Sequence, residues 1–287
     1  MMSWSFSFRL RFLLAPITAY IFISTGNAQS TETELNLRLK GKPLYLRGFW
    51  RDDKLHFDST GRIIGGSPGP LAFTLSGFDL KNVYIKPNKL FLEGQRVGLE
   101  LAGGKQKRVP LRFGEPRHPE DELIHIEIDA NPNGDYGPAL DAIFVEGIAN
   151  LVPSLPFYWK NYAQKNFLPA TAAPTPPTAS TSAKEVAPQG PPPPRIGREI
   201  KAPRLLHSAE PTFNNTARTL MYGGKSLVNL HVEPDGTVSH LSVVQALGLG
   251  LDESALLAVQ KYTFSPAMMD GKPVLVELNV EVNFQIY

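Results

Sequence analysis

Cysteine is absent from the 287 residues, which removes disulfides, thiolate nucleophiles and cysteine-ligated metals from the chemistry open to this chain. Long apolar runs are missing too. The longest, residues 12–24 (FLLAPITAYIFIS), holds Pro16 and is about thirteen residues long, whereas a membrane-spanning helix takes ~20 apolar residues. An excess of either charge is also lacking: 29 Lys and Arg against 27 Asp and Glu leave +2, the surplus carried by Arg9 and Arg11. No nucleic-acid partner is therefore expected. The six histidines, His56, His118, His125, His207, His231 and His240, show no helical pair or ligand cluster, so the sequence gives no ground for a metal. No cofactor is expected, nor any enzyme activity.

What is present divides the chain, and at this length two domains are the better prior. Arg9 and Arg11 precede the apolar run, and Thr25-Gly26-Asn27-Ala28 ends it in small residues, the pattern of a cleavable export signal over 1–28. An uncleaved anchor is the alternative. Residues 29–168 read as a mostly-β domain. Leu35, Leu37 and Leu39 alternate with polar residues. Leu44, Leu46, Leu55 and Phe57 continue the period of two, followed by Leu71, Phe73, Leu75, Val83, Ile85, Leu90, Leu92, Val97, Leu99 and Leu101. Turn signals between them suggest a small antiparallel sandwich or open barrel. Leu123–Asp129 adds a strand. Residues 139–151 place Leu140, Ile143, Phe144, Ile148 and Leu151 at mostly three- and four-residue steps, which predicts an amphipathic helix ending before Pro153. The aromatic stretch 155–167 is read as packing of that helix end on the sheet, since aromatics gain most by burying their large area; an exposed anchor is the competing reading.

Composition then shifts. Residues 169–194 hold nine prolines among Ala, Thr, Ser and Gly, too few apolar side chains to offset the entropy of ordering. The segment 169–204 is read as a Pro-rich linker, reaching on the order of 80 Å over 169–194 at ~3.1 Å per residue. It carries +3, and residues 205–287 carry −4. In this end domain Phe213, Ala217, Leu220 and Met221 share a helical face and Gly223-Gly224 stops the helix. Val228, Leu230 and Val232 mark a strand. Pro234-Asp235-Gly236 turns the chain into a second strand over 238–244. Asp252 can cap a helix that packs Ala255, Leu256, Val259 and Tyr262 on the sheet. Residues 274–286 close the chain as one long strand, with Val274, Val276, Leu278, Val280, Val282, Phe284 and Ile286 facing one way. The expected class is α+β, the end domain being a three-stranded antiparallel sheet with two helices on one face.

That order resembles the C-terminal domain of the TonB energy-transducer family. The matching pieces are Pro211-x-Phe213, Ala217-Arg218, Gly224, the Asp235-Gly236 turn with Val238, and Gly250-Leu251-Asp252 with Ala255-Leu256 and Ala258-Val259. Phe264-x-Pro266-Ala267, Gly271-x-Pro273-Val274 and Phe284 complete the set. It covers roughly residues 200–287, and no family is recognised for 29–168. The resemblance implies a periplasmic or envelope protein of a Gram-negative-type bacterium. Its partner is then an outer-membrane TonB-dependent transporter, whose short extended peptide pairs with an edge strand. By resemblance the docking edge is Val276, Leu278, Val280, Val282 and Phe284. In full transducers the family also passes on energy from an inner-membrane proton-driven motor through a membrane anchor. Residues 1–28 hold no histidine and look cleavable, so a motor partner is implied only if that segment is retained. Two alternatives stand beside this reading, a homodimer across the same edge and an envelope scaffold without a transport role.

Two literal motif matches are weighed against plainer readings. Gly65-Gly66-Ser67-Pro68-Gly69 fits the G-x-S-x-G hydrolase pattern but lacks the strand-then-helix context and is crowded by Pro68 and Pro70, so a loop is expected. Asp129, Asn131, Asn133, Gly134 and Asp135 match the first half of a calcium loop. Leu140 stands where the closing Glu belongs, so a plain Asn-Gly turn is expected.

Overall fold

The computed structural model describes residues 30–65, 72–115, 118–169 and 199–286. The export signal expected at 1–28, the serine of the glycine-rich motif and residues 170–198 of the proline-rich segment lie outside the described residues. The fold class is α+β.

The first half is built around a hairpin. β3 (Gly77–Lys86) and β4 (Lys89–Glu100) pair antiparallel through Pro87-Asn88, with Asn88 at φ +66°, a conformation asparagine tolerates better than most residues. With them, β1 (Leu44–Leu46), β2 (Lys54–Phe57), β5 (Lys107–Pro110), β8 (Leu123–Asp129) and β9 (Phe144–Glu146) make a seven-stranded sheet. Its order is β2-β8-β4-β3-β1-β9, and β5 pairs with the far end of β4. β6 (Arg112–Phe113) and β7 (Glu120–Asp121) form a short separate ribbon. Because β2 and β8 run parallel, the sheet is mixed, and the expected antiparallel sandwich or barrel is corrected to one mixed sheet. Ile124, Ile126 and Ile128 of β8 and Leu90 and Leu92 of β4 alternate into a core with Phe57 and Phe78, as the two-residue period of a strand requires.

Several local expectations fail for identifiable reasons. The alternating leucines at 35, 37 and 39 sit on a helix, α1 (Glu32–Leu39). Thr31 caps it, accepting from Glu34 N at 3.2 Å while Thr31 N donates to Glu34 Oε2 at 3.0 Å. That reciprocal pair satisfies two orphan amides. Leu35 and Leu39, four apart, are then buried, and Leu37 is 76% exposed. Phe73–Leu75 is a buried 3-10 turn rather than a strand. The helix expected over 139–151 is only α2 (Gly137–Ile143). The chain then pairs Phe144, Val145 and Glu146 with β1, turns at Gly147 (φ +77°), and continues as a 3-10 segment, Ile148–Ser154. Three- and four-residue apolar spacing is met here by a helix, a strand and a turn in succession.

In the end domain β12 (Gly224–Val232) is central, flanked antiparallel by β13 (Val238–Gln245) and β17 (Val276–Phe284). The β12–β13 turn needs its glycine. Gly236 has φ +86°, and a Cβ there would lie 2.0 Å from Phe264 O. The first helix, α4 (Asn215–Thr219), is shorter than expected. Asn214 caps it by accepting from Ala217 N at 2.8 Å. Met221 falls beyond its end at φ +49° and is 63% exposed. The second is α5 (Leu251–Val259), with Gly250 rather than Asp252 at its N-cap. The single strand expected over 274–286 is two. β16 (Lys272–Val274) joins β10 (Ile200–Lys201) and β15 (Ala267–Met269) in a separate small sheet, so only β17 lies beside β12. β11 (Arg204–His207) pairs with β14 (Thr263–Ser265).

One buried cation orders the edge of the first sheet. Arg96 is 1% exposed, donates to the carbonyls of Trp50, Arg51 and Asp52 at 3.0–3.1 Å, and sets its Nε 2.7 Å from Glu122 Oε1. Burial pulls its pKa down and the Glu122 carboxylate opposes that pull. Replacing Arg96 by Met is expected to cost about 3–5 kcal/mol, because it strands a carboxylate and three carbonyls. Urea unfolding of the full chain reads this directly, and an unchanged midpoint would show that the 50–52 segment is held by other contacts.

Candidate functional site

The site begins with β17 and what lies beside it. Val276, Val282 and Phe284 are buried, and Leu278 and Val280 are half-buried against the same core. Phe284 meets Phe213 edge-to-face at 5.8 Å. The side chains named from sequence for the docking edge therefore fill the domain's interior. What β17 presents outward is its backbone edge and its other face, where Glu277 Oε1 and Asn279 Oδ1 accept from Asn229 Nδ2 at 2.8 and 2.9 Å and Glu281 pairs with Lys225 at 2.8 Å. Among the described residues no strand pairs with the far edge of β17.

β13 is different, because the aromatic stretch of the first half packs against it. The 3-10 turn Phe157–Trp159 and α3 (Lys160–Phe167) both contact β13. Trp159, Tyr162 and Phe167 are buried, and Phe73 meets Trp159 edge-to-face at 4.7 Å. The stretch 155–167 is buried as expected, but it packs on β13 of the end domain where the sheet of the first half was expected. One continuous core cluster holds Tyr45, Leu99, Leu101 and Trp159 from the first half and Val228, Leu230, Leu251 and Val259 from the second.

Backbone bonds join the halves as well. Leu101 N donates to Leu247 O and Leu249 N to Leu99 O, each at 2.9 Å, and Gly250 N donates to Thr74 Oγ1 at 2.9 Å. The loop 246–250 thus continues the pairing of β4. Gly248 permits that approach, since it takes φ +92° and a Cβ would lie 2.1 Å from Leu99 O. Asp252, fully buried, braces the loop: its carboxylate accepts from Leu247 N (2.9 Å), Gly248 N (2.7 Å) and Ser226 Oγ (2.7 Å). Burial pushes its pKa up to about 6 against the pull of those donors.

Glu253 follows. Trp159 Nε1 donates to its Oε1 at 2.8 Å, its Oε2 is buried with no hydrogen-bond partner among the described residues, and the residue as a whole is half-buried. Burial, then the neighbouring Asp252 charge, push its pKa up to about 7. Tyr158 faces it and has its own pKa pushed up to about 12, first by burial and second by the Glu253 charge.

Elsewhere the structure assembles a group that sequence spacing hid. His56 Nε2 lies 2.9 Å from Asp129 Oδ1 and 3.4 Å from Glu127 Oε1, brought together by the parallel pairing of β2 with β8. This corrects the expectation that no histidine joins a ligand-type cluster. Lys89 Nζ bonds Glu127 and lies 3.7 Å from Asp129, so one ammonium already offsets part of the charge of the two carboxylates. In the calcium-like stretch Asn131 Oδ1 accepts from Asn133 N at 3.0 Å and Asp135 N at 2.9 Å, which makes it a turn. His231 and His240 stack across β12 and β13 at 4.7 Å, and burial followed by the His240 charge lowers the His231 pKa.

With this geometry in place, comparison identifies the end domain. Residues 209–286 match the family described as Gram-negative bacterial TonB protein C-terminal. The solution NMR structure of the Pseudomonas aeruginosa TonB CTD matches at 22% identity, covering 31% of this chain and 89% of that one, with a TM-score of 0.25. No curated protein matches the chain. The end domain is a TonB C-terminal domain. No helix among the described residues is long and apolar enough to cross a membrane.

Two predictions follow from the junction. Gly248→Ala, which adds both a clash and an unfavourable φ, is expected to destabilise the chain by about 1–3 kcal/mol. A thermal melt tests it, wild-type behaviour meaning that the loop does not press on β4. The second concerns pH. Asp252 and Glu253 bind protons more tightly folded than unfolded, so their contribution is fully present below about pH 4 and is lost as pH rises through 6 to 7. Glu253→Gln keeps an acceptor for Trp159 and should leave stability near pH 4 unchanged while raising it at pH 8 by up to about 3 kcal/mol. Equal effects at the two pH values would show that Glu253 is not held protonated by folding.

Proposed function

We propose that this protein works in the cell envelope, capturing an extended peptide segment of a TonB-dependent outer-membrane transporter as an added strand on β17. The observation that carries this reading is the edge of a nine-residue strand in a TonB C-terminal domain, unpaired among the described residues. The strand VELNVEVNF contains neither proline nor lysine, two residues by which exposed edges are commonly blunted against pairing. Strand addition draws its affinity from main-chain hydrogen bonds. That suits an edge formed by Val276, Leu278, Val280, Val282 and Phe284, whose side chains serve the core. Side-chain preference would come from the polar face, where Glu277, Asn279, Glu281 and Asn283 alternate. Transmission of force is a further step, needing residues 1–28 to remain attached as an anchor to a proton-driven motor; the mass of the mature protein decides it.

The full chain, titrated with synthetic peptides copying the N-terminal segments of such transporters, is expected to bind at micromolar concentrations. Amide exchange in β17 should slow on binding. Methylating alternate peptide nitrogens should weaken binding by at least about tenfold, the equivalent of one or two net hydrogen bonds. Absence of binding at several hundred micromolar peptide would sink the proposal. Protection of β17 that instead follows protein concentration without peptide would point to a homodimer across this edge, the scaffolding alternative.

A further inference from the structure

The parallel pairing of β2 with β8 sets His56 directly beside Glu127, and the two-residue period of a strand returns Asp129 to the same outward face. Three donor atoms converge there. His56 Nε2 lies 2.9 Å from Asp129 Oδ1 and 3.4 Å from Glu127 Oε1, and all three donors lie within 4.8 Å of one another. Bonds of ~2.0–2.2 Å to a four-coordinate ion hold its donors roughly 3.3 Å apart, so little movement separates this arrangement from a coordination shell. The three side chains are 36%, 30% and 36% exposed, open enough for an ion to reach them from solvent. Lys89 adds a second observation. Its ammonium bonds Glu127 and stands 3.7 Å from Asp129, a cation already drawn to the point that the carboxylates share. Its side chain is 39% exposed, and an ion pair so open to water contributes little, so a divalent ion can displace it. The same face opens on a cavity of about 590 Å³, which His56 and Glu127 line together with Tyr84 and Phe91.

We infer that His56 Nε2, Glu127 and Asp129 form a binding site for a divalent first-row metal ion, with zinc the ion that their donors suit. One imidazole nitrogen beside two carboxylates favours such an ion over the harder magnesium and calcium, which prefer oxygen alone. The two carboxylates balance its charge once Lys89 swings to solvent. Three protein ligands leave one position of a tetrahedral shell open, and water from the adjoining cavity fills it. The site lies on the sheet of the first half, away from β17, and does not rest on the peptide-docking reading.

Zinc chloride titrated into the full chain near neutral pH, followed by calorimetry and by the imidazole nitrogen resonances of the histidines, tests the inference. One equivalent is expected to bind at micromolar concentrations and to shift the His56 ring signals. His56→Asn and Glu127→Gln should each weaken zinc by at least about tenfold. Lys89→Gln, which removes the competing ammonium, should tighten it by at least about twofold, the scale of an exposed ion pair. Magnesium chloride should bind far more weakly than zinc. The stacked pair His231 and His240 is the rival zinc ligand set, so His231→Asn is measured beside these variants and should leave the affinity unchanged. Undiminished binding in a folded His56→Asn protein, loss of binding in His231→Asn instead, no tightening in Lys89→Gln, or magnesium binding as tightly as zinc would each overturn the inference. So would the absence of zinc binding at several hundred micromolar.

Discussion

The carboxylate of Asp252 is sealed from solvent and accepts three hydrogen bonds, from Ser226 on β12 and from the amides of Leu247 and Gly248. A charge in such a place is tolerated only because its donors are fixed around it. In return it fixes them: the loop 246–250 keeps the shape in which Leu247 O and Leu249 N meet Leu101 and Leu99. Gly250 can then cap α5 and reach Thr74 in one step. One side chain thus ties together β12, the start of α5 and the far end of β4. Next to it in sequence Glu253 receives the Trp159 indole, so consecutive residues brace the backbone and aromatic parts of the same junction.

The junction makes the two sides of the small sheet unequal. β13 is packed by Trp159, Tyr162 and the rest of the aromatic stretch, while β17 has an edge that no strand among the described residues pairs with. Most of the large aromatic area between residues 155 and 167 is committed to the chain's own core. The outward-facing exception is Phe157, which lines a cavity together with the exposed Leu257 of α5. Apolar exposure and the edge of β17 thus fall at separate places.

The sequence was most legible where local chemistry decides structure. The Asp235-Gly236 turn, the alternation in β12 and β17, and the β8 strand all follow from the two-residue period and from residues that tolerate positive φ. Where two local signals competed, the weaker-looking one sometimes won. Three alternating leucines suggested a strand, but Thr31 and Glu34 close a capping box, and Leu35 and Leu39 need only be four apart to share a buried helical face. The junction itself was not legible. Asp252 looked like a cap because it precedes an apolar helix, and nothing nearby indicates that its partners are loop amides and a serine 26 residues earlier. Arg96 and the His56–Glu127–Asp129 group are likewise products of strand pairing between distant segments. Such clusters leave no periodic trace in one sequence.

The shared core also changes how the Pro-rich segment bears on function. Residue 169 follows α3, which packs on the end domain, and residue 200 begins a strand of that same domain. With the junction closed, both described flanks of the Pro-rich segment are held by one packed body. Burial raises the pKa of both Asp252 and Glu253 at that junction, so the stability of the folded chain falls as pH rises through 6 to 7.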